Sequence, residues 1–265
     1  MRLGSIASGS SGNCIYVGSD KTHILIDTGI SKKRIEEGLH GYELGGDDLA
    51  GILITHEHSD HICGLGVLTR KYHIPIYGTK ETLLGIRQTS SLGELDKSLF
   101  VEIEPEEGFQ IGDLQIHPFS IYHDAFNPVA YRISHGNKSV AVATDMGKFD
   151  ERIVQNLSGL DSILVEANHD LHMLQVGPYP YQLKRRIAGD LGHLSNEASG
   201  ALLNRILHPG LQHILLGHLS KENNFPELAY ETVRVEINMA DTPYQAKDFD
   251  LRIAGRDMPS EIITI

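Results

Sequence analysis

Long apolar runs are absent from this sequence of 265 residues, and cysteine is scarce. No apolar stretch approaches the roughly 20 residues that a membrane-spanning helix needs, so we expect no transmembrane segment. The N-terminal stretch MRLGSIASGSSGN has no long apolar core, which argues against a signal peptide. The two cysteines, Cys14 and Cys63, form no CxxC pattern. One disulfide is conceivable, but free, partly buried thiols are the simpler interpretation, and we expect a cytoplasmic protein.

Positive charge is scarce as well. The formal net charge is −12, which argues against a protein that coats its general surface with nucleic acid. A local basic patch is still compatible with this charge, and two bound divalent ions would add about four positive charges where a phosphate could sit. The length fits one large domain, and no repeat or linker divides it. We therefore predict that residues 1–265 form a single domain.

The order of apolar patterns predicts the fold class. Strands are expected at residues 15–17, 23–26, 50–55, 74–77, 99–103, 114–121, 129–134, 139–143, 162–166 and 213–216. Helices are expected at residues 32–39, 63–72, 80–87, 151–157, 181–188, 196–207 and 227–239. The strands come in two sets, each followed by helices. This predicts an α/β (α+β) fold with two packed sheets and outer helices, an αββα sandwich, and leaves the strand order open.

The string HEHSDH, at residues 56–61, is the strongest functional signal. It follows the buried strand AGILIT and offers four potential metal ligands without a Lys or Arg among them. On a loop, residues i and i+2 can point the same way, so His56 and His58 can hold one ion. Asp60 and His61 can hold a second ion a few ångströms away. A polar surface loop with chance histidines is the alternative.

Three later motifs complete a resemblance to metallo-β-lactamase-fold hydrolases. A histidine in SIYHDA, an aspartate in AVATDMG and a histidine in ILLGHLS each follow a predicted strand, in the order of that family. The resemblance implies a four-layer αββα sandwich and two divalent ions, Zn²⁺ or Mn²⁺. Taken singly, the aspartate could be a helix N-cap and either histidine a hydrogen-bonded loop residue. The implied ligands are His56, His58 and His123 for one ion, Asp60, His61 and His218 for the other, and Asp145 between them.

The same resemblance assigns supporting roles. Asp27, in LIDTG, would brace the metal loop through hydrogen bonds without binding metal. LVEANHD and GDLGHLSN place Glu166 after a strand and His193 before a helix, as in ribonuclease Z-like phosphodiesterases. In those enzymes the pair helps to protonate the leaving oxygen, which a basic alkoxide needs and a thiolate does not. Together with Asp60, the pair gives the candidate catalytic residues. The alternative is that His193 packs against its helix and Glu166 is a surface carboxylate.

Six strings narrow the resemblance further, to the bacterial YycJ/WalJ (VicX) family. They are SGSSGNC, HEHSDH, SIYHDAFNPVAY, VEANHD, GPYPYQLKRRIAGDLGHLSN and LGHLSKENN. The resemblance implies a 5′-to-3′ DNA exonuclease with a proposed link to DNA mismatch repair, in which two ions share a hydroxide nucleophile. Rival hydrolases are an RNA phosphodiesterase, a cyclic-nucleotide phosphodiesterase and a glyoxalase II-like thioesterase. A non-catalytic, metal-stabilised regulatory protein is the rival from another class. The full ligand set argues against it, because a structural ion needs only four ligands. Protein partners and oligomeric state stay open.

Two segments are candidates for substrate contact. The small-residue loop at residues 8–13 can turn backbone N–H groups towards a phosphate, although a tight hairpin turn explains it equally well. The basic run after Tyr179 and Tyr181 can neutralise phosphates while the rings stack on bases. Three consecutive residues fan around a helix axis, so a solvated helix face is the alternative. The candidate residues are Ser10, Ser11 and Asn13 in the loop, and Lys184, Arg185 and Arg186 in the basic run.

Overall fold

The computed structural model describes all 265 residues, in 14 strands and nine α-helices. The strands are β1 (Arg2–Ala7), β2 (Cys14–Gly18), β3 (His23–Ile26), β4 (Leu49–Leu53), β5 (Ile76–Thr79), β6 (Phe100–Ile103), β7 (Phe109–Ile111), β8 (Leu114–Ser120), β9 (Val129–His135), β10 (Lys138–Ala143), β11 (Ser162–Glu166), β12 (His213–Gly217), β13 (Asp250–Ile253) and β14 (Ile263–Thr264). The α-helices are α1 (Lys32–Gly41), α2 (Ser59–Ile62), α3 (Leu65–Tyr72), α4 (Lys80–Gln88), α5 (Glu151–Leu157), α6 (Leu171–Val176), α7 (Tyr181–Ile187), α8 (Asn196–Ile206) and α9 (Pro226–Met239). Short 3₁₀ helices cover Gly46–Asp48, Ser90–Leu92, Lys97–Leu99 and Ala246–Asp248.

The strands form two mixed sheets of seven strands each. The first has the order β14-β1-β2-β3-β4-β5-β6 and the second the order β13-β12-β11-β10-β9-β8-β7. Each sheet is antiparallel in one half and parallel in the other: β3 to β6 are parallel in the first, and β10 to β13 in the second. The strand order, which the sequence patterns left open, is thereby settled.

Alternating side chains pack the four layers together. In β3, Ile24 and Ile26 lie in the cluster between the two sheets, whereas Leu25 lies in the cluster beneath α1 and α3. In β11, Leu164 faces the other sheet while Ile163 and Val165 face α5, α8 and α9. This period of two is the pattern expected of strands buried on both faces. The predicted αββα sandwich is therefore confirmed.

The expected elements agree with the observed ones to within a few residues, with two kinds of difference. β1, β7, β13, β14 and α6 were not among the expected elements. In β1, Gly4 and Ser5 interrupt the apolar residues. The others have two to six residues and mixed exposure and therefore show no clear period. The segment expected to be a loop between β4 and α3 contains the single helical turn α2, which includes Asp60 and His61. None of the helices combines the length and the apolar character that crossing a membrane requires.

The strand directions bring the candidate site together at one edge of the sandwich. β10, β11 and β12 are parallel, and β8 runs with them because both β8 and β10 are antiparallel to β9. Their carboxyl ends therefore lie at the same edge, where chains in such sheets present functional side chains. The segments after β3 and β4 meet this edge from the other sheet. The two loops touch directly: the Thr28 amide donates to the His61 carbonyl at 2.7 Å.

Candidate metal centre

Three histidines bring their ring nitrogens together at this edge of the sandwich. His58 Nδ1 lies 3.1 Å from His56 Nε2 and 3.2 Å from His123 Nε2. His56 and His123 are buried and His58 is partly buried. Burial lowers the pKa of His56, and neighbouring histidine rings lower it further. Burial also lowers the pKa of His123, although Asp145 opposes this effect. Both shifts favour the neutral ring, the form in which imidazole binds a cation.

A second group of side chains adjoins the first and contains carboxylates. Asp60 Oδ2 lies 3.6 Å from His61 Nε2 and 3.7 Å from His218 Nε2. Asp145 lies between the groups: its Oδ1 is 3.8 Å from His123 Nε2 and 3.5 Å from His218 Nε2, and its Oδ2 is 3.3 Å from His61 Nε2. All seven residues that the resemblance names thus lie in one cluster.

Hydrogen bonds fix which nitrogen of each ring faces the centre. Each of four histidines uses Nδ1 for a neighbouring group and directs Nε2 into the cluster. Such partners are typical of metal-binding histidines, because they fix the tautomer and the orientation of the ring. The pairs are His56 with Thr55 Oγ1 at 3.0 Å, His61 with Asp27 Oδ2 at 2.7 Å, His123 with the Gly192 carbonyl at 3.1 Å, and His218 with Glu166 Oε2 at 3.0 Å.

The carboxylates and histidines of the second group stabilise each other's charged forms. Burial opposes ionisation of Asp60 and Asp145, but nearby histidines outweigh it and hold the pKa of both carboxyls below the usual range. Burial also opposes protonation of His61 and His218, yet Asp145 raises the pKa of His61 well above its usual value and that of His218 to about 10. Asp145 Oδ2 and His218 Nε2 are buried without hydrogen-bond partners. Unpaired buried ligand atoms of this kind fit divalent metal ions.

Glu166 connects the metal cluster to His193. Its carboxylate is fully buried, so it is not a surface carboxylate. Oε2 accepts hydrogen bonds from His193 Nδ1 at 3.1 Å and from His218 Nδ1 at 3.0 Å. Burial raises the pKa of Glu166, but the charge and hydrogen bonds of His193 and His218 outweigh burial and hold it well below the usual range. One carboxylate therefore orients both histidines.

Three residues of the site have left-handed backbone conformations. Asp27, Asp145 and His218 have φ values of 60°, 62° and 53°. Such conformations cost about 1–3 kcal/mol each in residues other than glycine and cluster at functional sites. Each residue follows the carboxyl end of a strand within two positions, so the backbone turn aims the side chain back at the centre. The turn at Asp145 also shows that it is not the N-cap of a helix; Asp150 has that role for α5.

The loop before the metal ligands is tightly packed against them. Asp27 accepts hydrogen bonds from the Thr55 amide at 2.9 Å and from the Thr55 hydroxyl at 2.8 Å, in addition to its contact with His61. At Gly29, a Cβ would lie 1.6 Å from the Asp60 carbonyl oxygen, so only glycine fits there. Asp27 therefore connects the loop to Thr55 and His61 through hydrogen bonds.

Asn13 lies behind the centre and is turned away from solvent. Its side chain is buried and bonds to the amide and carbonyl of Gly9, and its Nδ2 lies 3.2 Å from His61 Nε2. Its amide donates to the Asp60 carbonyl at 2.8 Å. The expectation that Asn13 contacts substrate does not match this placement, because these contacts tie the small-residue loop to the metal loop.

An open pocket of about 220 Å³ lies over the cluster. Of the residues expected to contact substrate, Ser10 and Arg186 line it, whereas Ser11, Lys184 and Arg185 do not. The consecutive basic residues fan around α7 as anticipated, and Lys184 donates to the Gln175 carbonyl instead. The residues that line the pocket are Ser10, His58, Asp60, His123, Asp145, Asn168, Tyr179, Leu183, Arg186, Ile187, His193, His218 and Ser220.

Several functional contacts were not foreseen. Asp124 pairs with Arg186 through both carboxylate oxygens, with Oδ1 at 3.0 Å from Nη2, and that Oδ1 also lies 3.5 Å from His123 Nε2. The Asn168 amide nitrogen donates to the His218 carbonyl at 2.9 Å. Asp124 directly follows a predicted ligand in the sequence, and Asn168 lies within the VEANHD motif, so motif position was the available signal.

The chain is similar to a known family along most of its length. Residues 22–211 match the family described as the β-lactamase superfamily domain. The exodeoxyribonuclease WalJ of Streptococcus pneumoniae is 42% identical, over 89% of this chain and 88% of WalJ. The exodeoxyribonuclease YycJ of Bacillus anthracis is 39% identical, over 86% of each chain. The crystal structure of Zn²⁺-bound PqqB from Methylobacterium extorquens covers 100% of both chains with a TM-score of 0.73 at 16% identity, a likeness of fold.

Proposed function

The chain belongs to the β-lactamase superfamily and, within it, to the family of the WalJ and YycJ exodeoxyribonucleases, and we propose that it is a two-metal DNA exonuclease acting in the 5′-to-3′ direction. The observation that carries the proposal is the cluster of seven ligand-type side chains at the base of one open pocket, two of whose buried atoms have no partner. The proposed cleavage is hydrolysis of a phosphodiester.

The residues of the cluster fit two divalent ions. We assign one ion to the group of three histidines and the other to the group with carboxylates, with Asp145 shared. When bound, the two ions would supply a strong nucleophile from water at neutral pH and positive charge opposite the phosphate. The ligand set suits Zn²⁺ through its imidazoles and Mn²⁺ through its carboxylates, so the metal used in the cell is left open. The proposed ligands are His56, His58 and His123 for the first ion, and Asp60, His61 and His218 for the second.

His193 is the proposed proton donor to the leaving oxygen. Its Nδ1 faces the Glu166 carboxylate, so Nε2 is the nitrogen that can reach a substrate in the pocket. A buried carboxylate on Nδ1 stabilises the positive charge that the ring carries while it holds a second proton. The alkoxide that leaves a phosphodiester is basic, so proton delivery accelerates its departure. Glu166 is a positioning residue in this scheme, because it acts through His193 and His218.

Arg186 is the proposed contact to the phosphate. Asp124 holds its guanidinium through a two-point ion pair in a pocket that five of the ligand residues also line. A guanidinium fixed in this way presents its remaining N–H groups to a phosphate oxygen without losing much side-chain entropy. Ser10 lies on the same pocket wall and can donate a hydrogen bond. Lys184 and Arg185 are not included in this proposal.

The test uses purified protein, stripped of metal and reloaded with Mn²⁺ or Zn²⁺. It is incubated with end-labelled single- and double-stranded DNA and with matched RNA, beside the double variant Asp60→Ala, His61→Ala. The proposal predicts metal-dependent, stepwise loss of nucleotides from the 5′ end of DNA, absent in the variant. Preference for RNA, or turnover of only a cyclic nucleotide or a thioester, would overturn the proposed substrate. A single tightly held ion without any hydrolysis would favour a regulatory protein.

Three further expectations belong to the same proposal and stay predictions. They are the single domain over residues 1–265, a cytoplasmic location, and a role in DNA repair. The two cysteines are free: Cys14 is buried and Cys63 is exposed.

A further inference from the structure

A second cavity adjoins the metal pocket across a thin backbone wall. Its volume is about 300 Å³, at the lower end of the range for small-ligand sites. The wall consists of two loop segments joined by a parallel bridge between Gly9 and Leu219. Ser10 and Ser220 line the metal pocket, whereas Ser8 and Leu219 line the second cavity. The two spaces therefore share the same two segments as their boundary.

Two cations line the second cavity, and no carboxylate does. They are Lys221, which is exposed, and Arg256, which is partly buried. Neither has an Asp or Glu oxygen within 4.0 Å. In a chain with a formal net charge of −12, two uncompensated cations on one cavity produce a local positive potential. The cavity therefore suits an anion.

The guanidinium of Arg256 is held in place and is incompletely satisfied. Its Nη2 donates to the Leu219 carbonyl at 2.9 Å, so the side chain lies against the shared wall. A Cβ at Gly9 would approach Arg256 Cγ to 3.3 Å, and glycine leaves room for this crossing. The other terminal nitrogen, Nη1, is buried and has no hydrogen-bond partner. An unpaired charged donor is destabilising, so an acceptor brought by a ligand would complete the site.

An exposed aromatic ring completes the lining. Phe225 is 46% exposed and directly precedes Pro226, the first residue of α9, so its backbone is fixed by the start of a helix. An aromatic face beside positive charge is the combination that binds single-stranded nucleic acid. The ring stacks on a base while the cations contact the phosphate.

We propose that the second cavity is a nucleotide subsite. Lys221 and Arg256 bind one backbone phosphate of a DNA strand whose adjacent phosphodiester lies in the metal pocket, and Phe225 stacks on the base of that nucleotide. The inference rests on the proposed function, because it takes the occupant to be a nucleic-acid strand. Its effect is to hold the strand in register across the wall, so that successive phosphodiesters enter the metal pocket.

The test compares binding of a fluorescein-labelled single-stranded phosphorothioate oligodeoxynucleotide, which keeps the backbone charge and resists hydrolysis. Fluorescence anisotropy is measured with the metal-loaded protein over a series of NaCl concentrations. The variants are Lys221→Ala, Arg256→Lys, Phe225→Ala and Phe225→Tyr. Lys97→Ala is the matched control, because Lys97 is exposed, has no ion pair and lies in the 3₁₀ helix directly before β6, an edge strand of the first sheet. Thermal unfolding of each variant reports its folding.

We expect Lys221→Ala to weaken binding and to reduce the slope of log K against log salt by about 0.7, the value for one contact to a single strand. Phe225→Ala should weaken binding about fivefold or more, the equivalent of about 1 kcal/mol of stacking, and Phe225→Tyr should restore it. Arg256→Lys should weaken binding, because a lysine cannot bond the Leu219 carbonyl through one terminal nitrogen and the phosphate through another.

Two results would overturn the subsite, and they are distinguishable. If the unmodified protein binds and degrades DNA but folded Lys221→Ala and Phe225→Ala behave like Lys97→Ala, the subsite is wrong and the proposed function stands. If the unmodified protein neither binds nor degrades nucleic acid, the proposed function fails and the subsite fails with it.

Discussion

Replacing Glu166 by glutamine tests the link between the metal centre and the proton donor. The carboxylate accepts five hydrogen bonds, three of them from backbone amides. Oε1 accepts from the Met146 amide at 3.0 Å and from the Leu194 amide at 2.7 Å. A glutamine has one oxygen and one NH₂ group, so it can keep only one side of this pattern. The glutamine oxygen should stay at the Oε1 position, because the two backbone N–H groups there can only donate and need an acceptor.

The NH₂ group of Glu166→Gln would then face three donors at the Oε2 position. The Asp145 amide, 3.0 Å away, would lose its acceptor, which costs about 1–3 kcal/mol of folding stability for a buried group. His193 and His218 would have to move a proton from Nδ1 to Nε2 in order to accept from the NH₂ group. His218 would then present N–H where it should present a ligand atom, and His193 would lose the carboxylate that stabilises its positive charge.

The expected outcome of Glu166→Gln has two parts. Loss of a partner that orients a metal-binding histidine typically costs 10–100-fold in metal affinity or activity. Loss of proton delivery should lower kcat by about 10²–10⁴-fold. Metal content after dialysis and steady-state degradation of a labelled oligodeoxynucleotide measure the two effects. Glu231→Gln, in which an exposed carboxylate on α9 loses its pairing with Arg234, is the matched control. Two retained ions and a kcat within threefold of the unmodified protein would refute the role of Glu166.

Three further predictions address the proton donor, the phosphate contact and the charges of the cluster. His193→Ala should slow DNA cleavage by about 10²–10⁴-fold but slow hydrolysis of a p-nitrophenyl phosphodiester much less, because that leaving group needs no proton; equal losses would exclude a proton donor. Arg186→Ala should raise KM and lower the salt dependence of kcat/KM by about one contact, whereas Arg185→Ala, whose side chain does not line the pocket, should change KM less; similar effects of both would argue against Arg186. After chelation, the unfolding temperature should fall between pH 7 and 10. Burial opposes the charge on His218, but Asp145 raises the pKa of His218 to about 10. The contribution of this charge to folding stability is therefore complete below pH 6.5 and is lost as the pH rises through about 10. A flat profile for the chelated protein would contradict this assignment.

The positions of the proposed ligands could be predicted because the resemblance to metallo-β-lactamase-fold hydrolases rests on motifs in a fixed chain order. Four of the residues lie within one string of six, and His123, Asp145 and His218 each follow an apolar strand whose pattern is visible in the sequence. In a sheet, the carboxyl ends of parallel strands meet at one edge, so residues that follow such strands become neighbours. The fold class followed from the same strands and from the helices between them.

Contacts between distant segments could not be predicted in the same way. The small-residue loop has the same composition whether it faces a ligand or packs on protein, and only its contact with His61 separates Asn13 from the exposed Ser11. The sequence motifs predicted the pairing of Glu166 with His193. The hydrogen bond between Glu166 and His218 was not predicted, because it depends on the parallel strands β11 and β12 being adjacent. The left-handed conformation of Asp145 is imposed by tertiary contacts that override the local preference of the residue.

Short edge elements also escaped prediction. β14 has two residues and pairs with β1 through Arg2 and Leu3, at the opposite end of the chain. Two residues cannot show an alternating pattern, and pairing of this kind depends on where the C-terminal segment arrives in space. The same holds for β7, in which Phe109 and Ile111 face the core and a single exposed residue separates them.

The most direct test of the two-metal DNA exonuclease is activity measured as metal is returned to the stripped protein. Zn²⁺ or Mn²⁺ is added in increments at a protein concentration above the metal dissociation constant, and release of labelled nucleotides from the 5′ end of DNA is followed at each step. The ligand assignment predicts activity that reaches its plateau at two ions per chain. A plateau at one ion would contradict the two-metal site, and an absence of nucleotide release at any metal content would contradict the proposed function.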